Sequence, residues 1–172
     1  MLGEIQLAAI LEQILTKDQY AENVATRKDA SERVEFAVRM PGDGERYVWL
    51  PIDAKFHGDT YAQLMEAYDT ADAAAIAKAR KQLADALRKS AKDIREKYVD
   101  PPDTTDFAVM FLPFEGLYAE AVNSGIMEIV QQEYKVMLAG PATMAALLNS
   151  LQMGFETLAI RKHSGQVWGV LG

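Results

Sequence analysis

The chain has 172 residues and a mass of 19.0 kDa, the size of one ordinary domain. Hydrophobic residues make up 49% and charged residues 25%, which excludes a disordered chain, while a net charge of −7 excludes a protein that coats nucleic acid by bulk charge. There is no cysteine, and the two histidines, His57 and His163, are too few for a multi-histidine metal centre, so disulfide, thiol and zinc-cluster chemistry fall away.

No apolar run reaches the roughly 18 residues of a membrane span. Met1-Leu2-Gly3-Glu4 lacks a basic leader. The expected location is the cytoplasm. The apolar end, Trp168-Gly169-Val170-Leu171-Gly172, suggests a domain excised from a longer chain.

Residues 4–15 have helical period. Ala8, Leu11 and Leu15 form one stripe, with Leu7, Ile10 and Ile14 beside it. Glu4 falls on that stripe and is expected to lean inward, or else to serve as a first-turn acid favoured by the helix dipole. Residues 17–31 are polar and read as a loop. Residues 33–40 then alternate, with Val34, Phe36, Val38 and Met40 on one face and Arg33, Glu35, Ala37 and Arg39 on the other. Pro41-Gly42-Asp43-Gly44 marks a turn. Residues 47–56 alternate again, with Val48, Leu50, Ile52, Ala54 and Phe56 opposite Tyr47, Trp49, Pro51, Asp53 and Lys55. This is a hairpin with one face on a core.

A short helix is expected around residues 61–67. A long one follows over 71–98, with Thr70 or Asp69 as N-cap, and stops before Pro101-Pro102. Residues 105–113 suit a strand buried on both faces. Residues 115–134 read as one or two helices broken near Ser124-Gly125, and 135–139 as a short strand. Pro141 starts a final helix running through 161. The pattern predicts an α/β domain with a mixed central sheet flanked by helices.

The hairpin carries the most suggestive chemistry. Asp53 and Lys55 project from one face, and a hairpin symmetric about Gly44 puts Glu35 directly across from Asp53. Two carboxylates beside a lysine describe a hard-cation site. Mg²⁺ takes one or two carboxylates and completes its shell with water and phosphate. The lysine could orient water or stabilise phosphate charge, and Glu4 could add a third carboxylate. An acid-x-Lys pair alone says little. The chain has a second, Glu133-Tyr134-Lys135, but it straddles a helix end and a strand start. The alternative for the hairpin set is a surface ion network of little energetic weight.

Further blocks give a resemblance. Leu50-Pro51-Ile52-Asp53-Ala54-Lys55-Phe56 is similar to the Leu-Pro-(Ile/Val)-Asp-(Ala/Ser)-Lys signature of the RmuC family, bacterial proteins associated with DNA recombination. Gly3-Glu4 with Leu7 and Leu11-Glu12 resembles that family's opening helix. Phe111-Leu112-Pro113-Phe114-Glu115-Gly116-Leu117-Tyr118-Ala119-Glu120-Ala121, Gly140-Pro141-Ala142-Thr143 and Arg95-Glu96-Lys97-Tyr98 resemble later blocks, in order along nearly the whole chain. The resemblance implies a restriction-endonuclease-like, PD-(D/E)XK core over residues 1–172, acting on DNA with Mg²⁺ or Mn²⁺. It implies that Glu35 and Asp53 hold the metal, and that Lys55 and Glu4 serve catalysis. Glu115 and Lys97 would support the site from just outside. It also implies an N-terminal membrane anchor and a coiled coil beyond this chain, the latter a route to homo-oligomers. Arg33-Val34-Glu35 departs from the family's Arg-Pro-Asp. That departure motivates a second reading, a nuclease-fold domain that binds DNA structures or partner proteins without cutting. The implied fold usually has a three-stranded meander, and only two of those strands are visible here.

Residues 71–98 carry eight basic and four acidic residues. Lys78, Lys81, Arg88, Lys92 and Arg95 cluster opposite the apolar side formed by Ile76, Leu83, Leu87, Ile94 and Tyr98. They form either a solvated face or a basic rail along a DNA backbone. Trp49 and Tyr47 share the face of Asp53 and could stack on bases, although packing is the commoner role. His57 could contact phosphate or carry a proton. Thr143, near a helix start, could help bind phosphate, although capping is commoner.

Overall fold

The computed structural model describes residues 2–42 and 46–171, with side chains described through Ala159 and at Arg161. Turn residues 43–45, including the expected symmetry point Gly44, lie outside the described residues. The helices are α1 (Leu2–Ile14), α2 (Gly58–Thr70), α3 (Ala73–Tyr98), α4 (Glu115–Asn123), α5 (Ile126–Tyr134) and α6 (Pro141–Leu171). The strands are β1 (Tyr20–Val24), β2 (Val34–Pro41), β3 (Tyr47–Ala54), β4 (Ala108–Phe111) and β5 (Val136–Ala139).

The strands form one open sheet in the order β1-β2-β3-β4-β5. The first three run antiparallel, and β4 and β5 join parallel to β3. The fold is therefore mixed α/β, as expected. Strand β1 corrects the reading of residues 17–31 as a loop. It supplies the third strand of a meander, pairing Tyr20 with Val38 and Val24 with Val34. Its polar, half-exposed sequence suits an edge strand, where charge blunts an open row of backbone groups. Asn23, at φ 52°, further breaks the regular pattern.

Helix α2 runs longer than residues 61–67, and both expected caps, Asp69 and Thr70, fall inside it. Thr70 donates its hydroxyl to the Ala67 carbonyl at 2.7 Å. Ala71 ends α2 in the left-handed region, at φ 54°. The N-cap of α3 is instead Asp72, whose carboxylate accepts the Ala74 N–H at 3.0 Å. The expected break near Ser124-Gly125 is present because Gly125 sits at φ 82°, which costs glycine nothing. Helix α6 runs past the expected end at 161 to Leu171.

Two cores lie on opposite faces of the sheet. Leu7, Leu11 and Leu15 join Met144 and Leu148 of α6 over Phe36, Val38, Leu50, Ile52, Val109 and Phe111. On the other face, Leu83, Leu87 and Ile94 of α3 meet Met110 and Leu138, with Leu64, Leu117 and Val130 from α2, α4 and α5. Each fully buried leucine or isoleucine contributes roughly 1.5–3 kcal/mol by leaving water. The second core draws its strand residues from β4 and β5 alone. The β2–β3 half of that face is left to Glu35, Ala37, Trp49, Pro51 and Asp53. Among the described residues no helix is long and apolar enough to cross a membrane.

Asp72→Ala should destabilise the domain by about 1 kcal/mol through loss of the α3 cap. For this size that lowers Tm by roughly 2–4 °C. Thermal circular dichroism checks it, and an unchanged Tm would remove Asp72 from the capping role.

Candidate acidic site at the open half of the sheet

Hairpin register builds the site. Strands β2 and β3 pair Phe36 with Ile52 and Ala37 with Pro51, so one step further brings Glu35 opposite Asp53. This is the pairing that symmetry about Gly44 predicts. Leu50 and Ile52 are fully buried on the α1–α6 face, so alternation turns Asp53 to the other face, where it is 3% exposed. Glu35 Oε2 accepts the Ala54 backbone N–H at 3.1 Å. Lys55 Nζ lies 3.0 Å from Asp53 Oδ2. That oxygen is buried and has no partner besides the lysine among the described residues.

Glu4 departs from the inward lean expected of it. Gly3, Leu7 and Leu11 are the buried residues of α1, and Glu4 is exposed. Its carboxylate nevertheless comes within hydrogen-bonding reach of Glu35. This is possible because Gly3 lies against Ala54 and Pro113, at the ends of β3 and β4.

Too much negative charge meets here. Burial, then the Asp53 charge and Glu4, push the Glu35 carboxyl up to about 8. Burial likewise raises Asp53, with Lys55 pulling it back, Glu4 opposing, and Lys97 adding a weaker pull downward. Lys97 is thus brought into the field of the site from the end of α3. Tyr98 beside it was read only as part of the apolar side. Its hydroxyl is pushed up to about 12 by burial and by the fields of Asp53 and Glu35. Its position beside Lys97 in the Arg95-Glu96-Lys97-Tyr98 block is the sequence signal that could have flagged it. His57 lies next to Lys55, with Nε2 3.3 Å from Ser90 Oγ, and burial and Lys55 lower its pKa.

Other expected residues are placed elsewhere. Arg88 forms a two-pronged pair with Glu133 on α5, at 2.7 and 3.0 Å. Arg95 binds Asp106, which also pairs with Lys135. Both arginines therefore point along the flank of α3 away from Lys97. Lys78, Lys81 and Lys92 are exposed and form no ion pair among the described residues. No ion pair ties these three lysines to Glu35 or Asp53 among the described residues.

Glu115 has a structural task. Its Oε1 accepts the Ala142 N–H at 2.7 Å, occupying the anion seat at the start of α6. Close approach is possible because Gly140 has no side chain: a Cβ there would lie 3.0 Å from Tyr118 Cβ and 3.1 Å from Glu115 Oε2. Thr143 turns its hydroxyl back to accept the Gly140 N–H at 2.7 Å. The phosphate-binding possibility for this turn gives way to capping.

Glu35 and Asp53 are thus the available oxygen donors, with Glu4 beside Glu35. Among the described residues no group of three or more such side chains is arranged to hold an ion by itself. What the geometry defines is a mixed α/β domain with a carboxylate–lysine site on a half-covered sheet. The chain belongs to the RmuC family, whose model matches residues 1–172. It is 54% identical over 173 residues to two proteins named "DNA recombination protein RmuC homolog", from Xylella fastidiosa strains Temecula1 and 9a5c. The matches cover 99% of this chain but 38% of each relative, so the chain spans well under half their length. No solved structure matches it at a significant level.

Folded Glu35 holds its proton more tightly than the unfolded chain does. Without added cations, stability present below pH 4.5 is therefore lost as pH rises toward about 8. Glu35→Gln should leave Tm unchanged at pH 4 in EDTA. At pH 8.5 it should raise Tm by a few degrees, the scale of about 1 kcal/mol in a domain this size. Equal effects at both pH values would contradict the charge crowding.

Proposed function

We propose that this domain processes DNA by divalent-metal-assisted phosphodiester hydrolysis, on a restriction-endonuclease-like core of the PD-(D/E)XK kind. The carrying observation is the convergence of Glu35, Asp53 and Lys55 from two paired strands, with Glu4 reaching Glu35 from α1. The burial of Asp53, whose Oδ2 has Lys55 as its one partner among the described residues, and the crowding that raises Glu35 support a site that takes up a cation. The donor set suits Mg²⁺ or Mn²⁺ because such ions accept one or two carboxylates and take water and phosphate for the rest. The name of the Xylella relatives supports DNA as the substrate.

In this reading Asp53 and Glu35 hold the ion, and Glu4 ligates or positions water. The bound ion supplies Lewis-acid polarisation of a phosphoryl oxygen and a water of lowered pKa. Lys55 would orient the attacking water and balance charge; the oxygen of that water would bond to phosphorus as the bridging P–O bond breaks, its proton passing to solvent and the leaving oxygen taking one from solvent. Lys97 adds positive field near Asp53. DNA contact along Lys78, Lys81 and Lys92 is proposed for the outer face of α3, with Arg88 and Arg95 contributing only where they exchange Glu133 and Asp106 for phosphate. The family resemblance carries a coiled coil and a membrane anchor for the longer protein, so oligomerisation and membrane attachment are proposed through those, with the domain in the cytoplasm.

A specific observation sustains one other reading. The acids do not close into a three-carboxylate group, and Glu35 stands where the family commonly has Asp. A domain that binds DNA structures or partner proteins without cutting fits this equally simply. Incubation with linear, nicked and branched DNA in Mg²⁺ or Mn²⁺ separates the two. Hydrolysis should be abolished by Asp53→Asn and reduced about 10²–10³-fold by Lys55→Ala. Cleavage untouched by Lys55→Ala would sink the assigned roles. Salt-dependent DNA binding with no calorimetric Mg²⁺ or Mn²⁺ binding would establish the non-cutting domain.

A further inference from the structure

Four residues before Asp53, on the same face of β3, Trp49 meets Tyr47 edge-on, with ring centroids 5.1 Å apart and planes at 78°. The Arg39 guanidinium lies over both rings, 5.0 Å from the Trp49 centroid and 5.6 Å from that of Tyr47. Tyr47 is 50% exposed, so this is not a core cluster. The rings border a groove of about 300 Å³, walled otherwise by residues 25–28 and Asp103.

The groove is built before anything enters it. Trp49 N–H donates to the Asp103 carbonyl at 3.1 Å, and its own carbonyl accepts the Thr105 N–H at 2.8 Å. The opposite wall is tied to the end of α3: the Thr26 hydroxyl donates to the Tyr98 carbonyl at 2.6 Å, and Arg27 donates to the Glu96 carbonyl. Arg27 and Lys28 line the groove with Asp103, which pairs with Lys28 at 3.7 Å, and Arg39 adds a third cation over the rings. Arg39 donates to the Asp18 and Tyr20 carbonyls and forms no carboxylate pair among the described residues.

A half-exposed Tyr47 and a partly buried Trp49 beside cations suit a ligand with both flat apolar faces and anions. Bases within a duplex have their faces covered, so the ligand is unpaired nucleic acid. Trp49 and Asp53 are four residue steps apart along the strand, about 13 Å. That is the length of about four stacked nucleotides at 3.4 Å each. A local site of this kind is compatible with the charge of −7, which rules out bulk coating only.

We propose that Trp49, Tyr47 and Arg39, with Arg27 and Lys28, form a stacking site for unpaired nucleotides that leads a single-stranded segment of DNA toward Asp53. The direction of travel rests on the hydrolytic reading of Asp53; the stacking site does not.

Binding is therefore read in EDTA, without metal or hydrolysis. A fluorescein-labelled oligo-dT of about 12 nucleotides is compared with a duplex of equal length by anisotropy, the length chosen to match common single-strand sites. Unlabelled oligo-dT is titrated against Trp168→Phe protein, in which Trp49 is the remaining tryptophan. Expected are saturable quenching of Trp49 and tighter binding of the single strand than of the duplex. Trp49→Ala should weaken single-strand binding about 5- to 100-fold, the cost of losing one stacked base, and leave duplex binding unchanged. Trp49→Phe should restore most of the loss. Tyr47→Ala, at a half-exposed ring, supplies a variant that folds even where Trp49→Ala does not. Binding without quenching, no preference for the single strand, or folded Trp49→Ala and Tyr47→Ala proteins with unchanged affinity would each overturn the stacking site. Absent Mg²⁺-dependent cleavage alongside intact stacking would overturn only the hydrolytic reading.

Discussion

Alternation along β3 is the constraint on which the rest depends. Leu50 and Ile52 are locked into the core formed with α1 and α6, and a strand cannot bury them there without turning Trp49, Pro51 and Asp53 to the opposite face. Slipping the strand by one residue would expose two fully buried side chains and bury a lysine. Apolar burial thus forces a carboxylate into a place it would not otherwise occupy. Because β3 is antiparallel to β2 on one side and parallel to β4 on the other, its end is also where the meander meets the helical crossovers. Glu35, Glu4 and Lys97 arrive there from three different elements.

Coverage of the sheet decides what that convergence can do. Helices α2 to α5 roof β4 and β5, and the neighbouring strands carry Glu35 and Asp53 beside the last turn of α3 and the Trp49–Tyr47 pair beside residues 25–28 and Asp103. Polar groups tolerated on such a surface would be ruinous under the roof, where unpaired charges cost several kcal/mol. The acids remain energetically unfavourable even so, because Lys55 and the weaker field of Lys97 do not offset their burial. A folded state that keeps carboxyl groups crowded and buried gives up stability at a defined place. Such losses are tolerated where a ligand restores the balance.

The hairpin was legible because two-residue periodicity and a turn signal suffice to set its register, and with it the facing of Glu35 and Asp53. The buried strand β4, the break at Gly125 and the end of α3 were legible for similar local reasons. Strand β1 was hidden because an edge strand needs few apolar residues. Asp72 was missed as a cap because Thr70 and Asp69 offered the same chemistry a turn too early, inside α2. Glu115 acquired its task only when α4 was brought against α6, whereas the Thr143 cap is local to its own turn. The basic face of α3 was visible on a helical wheel, but a wheel does not say which flank meets the acids. Arg88 and Arg95 turned out to be held by Glu133 and Asp106, and Lys97, outside that group, faces the site.

By itself the sequence determined the mixed α/β class, the β2–β3 pairing and the placing of Asp53, Glu35 and Lys55 on one face, because those follow from periodicity over a few neighbouring residues. Tertiary structure alone decided that Glu4 reaches Glu35, that Tyr98 and Lys97 enter the field of Asp53, that Glu115 caps α6, and that Trp49 and Tyr47 border an open groove. Each of these depends on which helix covers which half of the sheet. That choice is settled by packing between residues far apart in the chain, and no local pattern encodes it.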